Sequence, residues 1–364
     1  MAATLNEIEW SEPLLPYVQD PEFDKTVKST LGMVTEVYHR VASNHWLREV
    51  CLLSDSYKVR HVPSRMFFLG GMITAQENAC RYCYGALRAL LRLQGYQESF
   101  ITRLESDLKM AELDEKESAF TQFCRNLARS NPRPSKKDRD QLIQMGYSPL
   151  VVNEMAVCIA IACFYNRVCT LIACPPEQKL ERLAGSFFGG VLSKIAGRLI
   201  RHMFISKRVD KKGDTNAPKI GAHPFAPLIR ELEGVPSAGI IEQMLAGALA
   251  PGVIPVKTKA LMFLVVARQL NCKFCTAGSE QLLKEQGLTA AEIKEAVESL
   301  GGKGLDPSLS SILDWTRDTV RYHPIKIQKK TEGLLEKIGP DALLEIVGTA
   351  AVANSTVRLA MLIQ

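Results

Sequence analysis

The chain lacks several features that would settle its function at once. Its first residues, MAATLNEIEWSEPLLPYV, have neither a basic start nor an apolar h-region, so no signal peptide is predicted and a cytoplasmic protein is expected. The long apolar stretch near the middle, residues 183–204, is interrupted by Lys194, Arg198, Arg201 and His202 and makes a poor membrane span. No Gly-rich nucleotide loop is present, so no bound cofactor is expected. No nucleic-acid motif accompanies the mild formal charge of +6, which is spread along the chain, so no nucleic-acid partner is expected. No run alternates apolar and polar residues as a half-buried strand would.

What is present fits a globular protein. The 364 residues are 46% apolar and 23% charged, too many for one ordinary core and suited to two domains. There are ten cysteines. In a reducing compartment they are not expected to form a disulfide framework, and close pairs point to redox or metal chemistry.

Two Cys-x-x-Cys pairs reveal an internal repeat. Cys272 and Cys275 lie 192 residues beyond Cys80 and Cys83. The same offset brings Val62-Pro63 onto Ile254-Pro255, Leu69 onto Leu261, Tyr82 onto Phe274, and Gln94-Gly95 onto Gln286-Gly287. Farther on, Leu113-Asp114 meets Leu305-Asp306 and Pro132 meets Pro324. Near the ends an offset of 188 would align Asn166 with Asn354. The chain therefore divides into a first domain at 1–175, a connecting helix and basic linker at 176–221, and a second domain at 222–364.

Both copies read as helical. Residues 259–270 are apolar nearly all round, as a buried helix would be, and 67–74 are their counterpart. The helices after each pair end at Gln-Gly, where glycine is the expected stop. Thr289 followed by Glu292 forms a capping-box signature. Segments 142–170 and 332–362 also have helical periodicity. The class is all-α.

A Cys-x-x-Cys pair at a helix start has a physical use. Free backbone N–H groups there favour a thiolate, and the second thiol resolves the oxidised sulfur into a disulfide. Arg81 and Lys273 add positive charge between the cysteines, and Asn271 is placed to cap the second helix.

ITAQENACRYCYGALRALLRLQGY and ARQLNCKFCTAGSEQLLKEQGL resemble the alkyl hydroperoxidase D and carboxymuconolactone decarboxylase family. The shared pattern is an apolar helix, a small or polar residue, Cys-x-aromatic-Cys, then a helix closing at glycine. His223-Pro224 and Asn166-Arg167 also look familial. The resemblance implies two tandem all-helical domains and a homo-oligomer. It implies that Cys83 and Cys275 attack a peroxide while Cys80 and Cys272 resolve it, with a small dithiol or thioredoxin-like protein as reductant. The second copy has the more typical motif, so Cys272 and Cys275 are expected to be the active pair.

The chain departs from the family at the proton relay. The family's His four residues after the second cysteine is Leu87 in one copy and Ser279 in the other. Its Glu twelve residues before the first cysteine is Phe68 or Ala260. Glu77 lies three residues before Cys80, on one face of a continuous helix, and is a candidate base. The same position also permits a surface pair with Arg81, and its counterpart is Gln269. Ser279 is placed to hydrogen-bond a thiolate, although a plain helical serine also fits. His61, with Val253 opposite, reads as a surface histidine.

Other readings stay open. The pairs could be inert core cysteines or, together, a four-cysteine zinc site, although zinc pairs are usually close in sequence. Cys158, Cys163, Cys169 and Cys174 read as packing of a buried helix. The lactone decarboxylase branch works without a cysteine pair. A non-catalytic binding or stress-regulatory protein, as in the sestrin-like proteins, fits the missing relay. The stretch 183–208 reads as a helix packed between domains, with a membrane-surface helix as the alternative.

Overall fold

The computed structural model describes residues 4–106, 112–186, 223–298 and 307–363. All regular structure among them is helical. Most of the linker and of the stretch 183–208 lies outside the described residues. Three short helices, α1 (Pro21–Leu31), α2 (Glu36–Arg40) and α3 (His45–Ser56), precede the first cysteine pair. The pair sits between α4 (Ser64–Glu77) and α5 (Arg81–Leu93), followed by α6 (Glu98–Ser106), α7 (Glu115–Arg129), α8 (Lys136–Gln144), α9 (Pro149–Leu171) and α10 (Gln178–Gly185). The second half holds α11 (Ala226–Arg230), α12 (Ala238–Ala248), α13 (Val256–Gln269), α14 (Lys273–Glu285), α15 (Ala290–Glu298), α16 (Pro307–Asp318), α17 (Pro324–Ile338) and α18 (Pro340–Ala360).

The sequence offset recurs in the helix bounds. Helices α4, α5 and α6 each begin and end 192 residues before α13, α14 and α15. The local causes recur too. Pro63 and Pro255 stand at the N-caps of α4 and α13. Gly95 and Gly287 take φ of 88° and 85° after α5 and α14, the left-handed stop that glycine adopts without strain. Thr289 and Glu292 make the expected reciprocal hydrogen bonds.

The last helix of each half departs from the expected register. Pro149 opens α9 and Pro340 opens α18, an offset of 191. Glu154 accepts from the N–H groups of Arg60, His61 and Val62, and Glu345 accepts from that of Ile254. Both carboxylates tie the same loop, so Glu154 pairs with Glu345 and Arg167 with Arg358. Asn166 therefore does not correspond to Asn354. The cause is local: α17 is longer than α8, while the four-residue turn after α8 shrinks to Gly339.

Helices α9 and α18 pack on each other at the centre of the molecule, and one continuous apolar core runs through both halves. By length and composition these two helices could cross a membrane, but most of each lies inside the protein. Their arginines cross the divide. Arg167 is fully buried and donates to the carbonyls of Thr319 and Val320 just past α16. Arg358, equally buried, donates to Ala128 at the end of α7 and again to Val320. Each half thus caps a helix C-terminus of the other, where free carbonyls favour a cation. Reciprocal contact of equivalent residues is the pattern of a two-fold interface.

Candidate functional site

Each cysteine pair is set by one backbone device. After α4 the chain turns through Ala79 at φ 47°, and after α13 through Asn271 at φ 53°. The turn leaves Cys80 and Cys272 as N-caps of α5 and α14, with extended φ and ψ. The Cys80 sulfur accepts the N–H of Cys83 at 3.5 Å, and the Cys272 sulfur accepts that of Cys275 at 3.3 Å. A sulfur in this role replaces the usual oxygen cap and faces the positive end of the helix.

The surroundings of the two pairs differ. A cavity of about 280 Å³ opens beside Cys83. Phe67, Phe68, Leu87, Leu90, Met155 and Ile159 make its wall mainly apolar. The two relay positions of the family, here Phe68 and Leu87, thus lie on this wall as hydrocarbon. The polar groups of the cavity come from elsewhere. The Tyr82 hydroxyl donates to Glu177 at 3.1 Å, and the Tyr165 hydroxyl donates to Asp55 at 2.8 Å. Burial pushes the Glu177 carboxyl above its ordinary range, although the Glu36 N–H and Tyr82 oppose this.

Two further cysteines complete the first site. Cys169, near the end of α9, lies close enough to Cys80, Cys83 and Cys174 to act on their electrostatics. Burial acts to raise the Cys80 thiol. It is outweighed by the neighbouring Cys169 thiol, the Cys83 thiol and N–H, and the nearby Thr170, which together hold Cys80 well below the usual thiol range. Cys83 is pushed up by burial and by the neighbouring Cys80 thiolate, with Cys169 and Asn166 acting the other way. The two thiols of the pair are thus shifted in opposite directions, Cys80 down and Cys83 up. The reading of Cys158, Cys163, Cys169 and Cys174 as core residues holds for burial. It missed that Cys169 and Cys174 lie beside the pair. Their special position was partly legible, since the counterpart of Cys169 is Ala360.

The second pair is packed in. Phe263 stands where the first half has Gly71, a residue on the cavity wall. Phe225 is fully buried against Phe263 and Phe274, with ring centres 5.8 and 6.1 Å apart. It also abuts Gly278, one turn beyond Cys275. Burial raises the Cys275 thiol well above its ordinary value, and Cys272 adds to the rise. Ser279 is buried with no hydrogen-bond partner for its hydroxyl among the described residues. His223 stacks on Phe225, and burial lowers its pKa.

The structure corrects the reading of Glu77. Its carboxylate is buried between Arg125 at 2.6 Å and Arg129 at 2.9 Å, both on α7. Arg81 is not its partner and instead forms a two-pronged pair with Glu181 on α10. A carboxylate held by two guanidinium groups ties α4 to α7. His61 is partly exposed and bonds the carbonyl of Gly234 at 3.1 Å.

Comparison with known proteins adds the family. No curated protein and no solved structure matches the chain. Residues 238–318 match the model of the Carboxymuconolactone decarboxylase family. The matched stretch runs from α12 through α16 and takes in Cys272 and Cys275. Over residues 238–318, therefore, the chain is similar to the carboxymuconolactone decarboxylase family, in line with the resemblance in its sequence.

Proposed function

We propose that this protein is a thiol–disulfide oxidoreductase that reduces organic hydroperoxides, and that Cys83 and Cys80 of the first half do the chemistry. The observation that carries this reading is the apolar cavity at Cys83, beside a Cys80 sulfur that caps α5 and accepts the Cys83 N–H. The preference that the sequence motif gives to Cys272 and Cys275 is thereby reversed. Cys275 is fully buried, Phe225 packs against Gly278 one turn away, and a substrate needs room at the attacking sulfur.

The steps follow from the groups present. Cys80 takes the proton of the Cys83 thiol and serves as the base that the family's relay would supply. The Cys83 thiolate then attacks the outer peroxide oxygen, the O–O bond breaks, and Cys83 becomes a sulfenic acid. The alkoxide leaves as the alcohol by taking a proton from the Tyr82 hydroxyl on the wall. Cys80 gives up its proton and attacks the sulfenic sulfur, so that water leaves and a Cys80–Cys83 disulfide remains. An external dithiol or thioredoxin-like protein returns two electrons. The Phe68 and Leu87 wall favours an alkyl or aryl hydroperoxide over hydrogen peroxide.

We also read the two halves as copies of one domain, on the recurring helix bounds and the reciprocal arginine caps. In that reading the fusion replaces one subunit interface of a homo-oligomer.

The test is consumption of cumene hydroperoxide by the reduced protein in the presence of dithiothreitol. Turnover that disappears in Cys83→Ser is expected. A rate no higher than that of free dithiol would sink the enzymatic reading. One observation favours a second reading in that event: both relay positions are hydrocarbon. The cavity would then bind an apolar ligand in a non-catalytic regulatory protein.

A further inference from the structure

The first half holds a buried pair of amides that the second half lacks. Helix α9 turns Met155, Cys158, Ile159, Ala162, Tyr165 and Asn166 to the cavity at Cys83, at the three- and four-residue spacing of one helix face. Asn166 is buried, and its Oδ1 accepts from the Asn78 Nδ2 at 3.0 Å. The Asn78 Oδ1 in turn accepts from the Arg167 Nη1 at 3.4 Å. Chemistry fixes this order. A guanidinium only donates, so Asn78 presents its oxygen to Arg167 and its nitrogen to Asn166. Asn166 must then present its oxygen to Asn78, which turns its own nitrogen to the other edge of the amide. Arg167 is itself anchored on the carbonyls of Thr319 and Val320 in the second half. At the equivalent positions of the second half stand Leu270 and Val357, both buried. There Arg358 donates instead to Asn354, one turn back on its own helix. The amide pair thus accompanies the half that has the cavity. Other polar groups on the wall are committed elsewhere. The Ser54 hydroxyl donates to the Val50 carbonyl at 2.7 Å, and that of Tyr165 to Asp55 at 2.8 Å.

We propose that the Asn166 amide nitrogen is the donor that the cavity offers to the peroxide group of its substrate, and that Asn78 and Arg167 are positioning residues that hold it there. The proposal rests on the oxidoreductase reading above for the identity of the ligand. An apolar wall holds the hydrocarbon part of a hydroperoxide but gives no orientation to its oxygens. A peroxide oxygen buried without a hydrogen-bond partner loses what water gave it. The Asn166 N–H supplies that bond. Because Asn78 keeps the amide from flipping, the donor is in place before the substrate arrives. The site therefore favours a hydrocarbon that carries an oxygen acceptor over a bare hydrocarbon of the same shape, a distinction that an apolar wall alone does not make.

Binding of two inert ligands tests this apart from turnover. Cumyl alcohol presents a hydroxyl oxygen where cumene hydroperoxide has its peroxide group, and cumene has the same hydrocarbon without oxygen. The affinity of the reduced full-length protein for each is measured by ligand-observed NMR, and the ratio of the two dissociation constants is the readout. Damage to the cavity wall weakens both ligands, whereas loss of the donor weakens only the alcohol. Asn166→Val, which installs the residue of the second half, should shift the ratio against the alcohol by about 5-fold, the typical net worth of one hydrogen bond. Asn78→Asp should shift it the same way without altering the wall, since Asn78 is not on it. A carboxylate there accepts from Arg167 and from Asn166 alike, so the Asn166 amide flips and withdraws its nitrogen. If Asn166→Val does not fold, Asn78→Asp decides alone. A ratio unchanged in the folded variants, or a wild type that binds neither ligand, would overturn the proposal. Turnover of hydroperoxide alongside an unchanged ratio would leave the oxidoreductase reading intact. A shifted ratio with no hydroperoxide consumption by the wild type would refute the peroxide reaction and leave Asn166 as donor to an oxygen-bearing ligand.

Discussion

The two halves present the same sulfur geometry in opposite settings. In both, an apolar helix ends, one residue takes a left-handed turn, and a cysteine caps the next helix with its sulfur on the N–H three residues on. In the first half Gly71 and Cys83 line one cavity, whereas in the second Phe263 stands at the position of Gly71 and packs on Phe225. The half that matches the family model is the filled one. A motif and its capping geometry are therefore not enough to identify a working pair.

The comparison is broken most sharply by removing one thiol from each half. Cys83→Ser should lower hydroperoxide turnover by roughly 100-fold or more, since the nucleophile itself is lost. Cys275→Ser should change it by no more than about 2-fold. Equal losses from the two variants would end the distinction drawn between the halves.

Next comes Glu77→Gln, which gives the first half the residue that the second has at Gln269. The second half manages without a carboxylate because Arg317 pairs with Asp314 and Asp318. In the first half Arg125 and Arg129 would lose their shared partner. Breaking a fully buried pair typically costs about 3–5 kcal/mol. The arginines here are partly exposed, so roughly 2–3 kcal/mol is expected in urea unfolding. Cys80 reactivity in the folded protein should not change. A changed thiol titration with unchanged stability would restore Glu77 as a base.

Gly71→Phe transplants the filling residue itself. It should reduce kcat/KM for cumene hydroperoxide by about 10-fold and for hydrogen peroxide by less, because the loss is one of substrate space. Equal effects on the two substrates would place the cavity outside the reaction path.

The smallest effect is in the pH dependence of alkylation. A thiolate that is stabilised in the folded protein persists to lower pH, so Cys80 should react with iodoacetamide below the usual thiol range near pH ~8.5. Cys275, raised by burial, should react only above it. Peptide-resolved labelling across pH gives the order, and a reversed order would contradict the shift assigned to Cys80.

Much of the frame was legible in the sequence because local chemistry dictates it. The Gln-Gly stops, the Thr289 capping box and the apolar stretches of α4 and α13 fix helices without reference to the rest of the fold. The register of α18 was misread because compensating changes in a helix and a turn left an offset that only the Glu154 and Glu345 contacts reveal. Glu77 was misread because its partners are 48 and 52 residues away on α7, beyond any helical spacing. Gly71 opposite Phe263, and Tyr82 opposite Phe274, were visible in the repeat. Their meaning depends on which helix faces them, and sequence periodicity does not supply that.

The central claim is that the cavity-bearing pair is the one that reacts. It is tested most directly by giving the fully reduced protein one equivalent of cumene hydroperoxide and mapping every cysteine by differential alkylation. The account predicts that the lost thiols are Cys80 and Cys83, while Cys272 and Cys275 stay reduced. Oxidation of Cys272 and Cys275 first, or of neither pair, would contradict it.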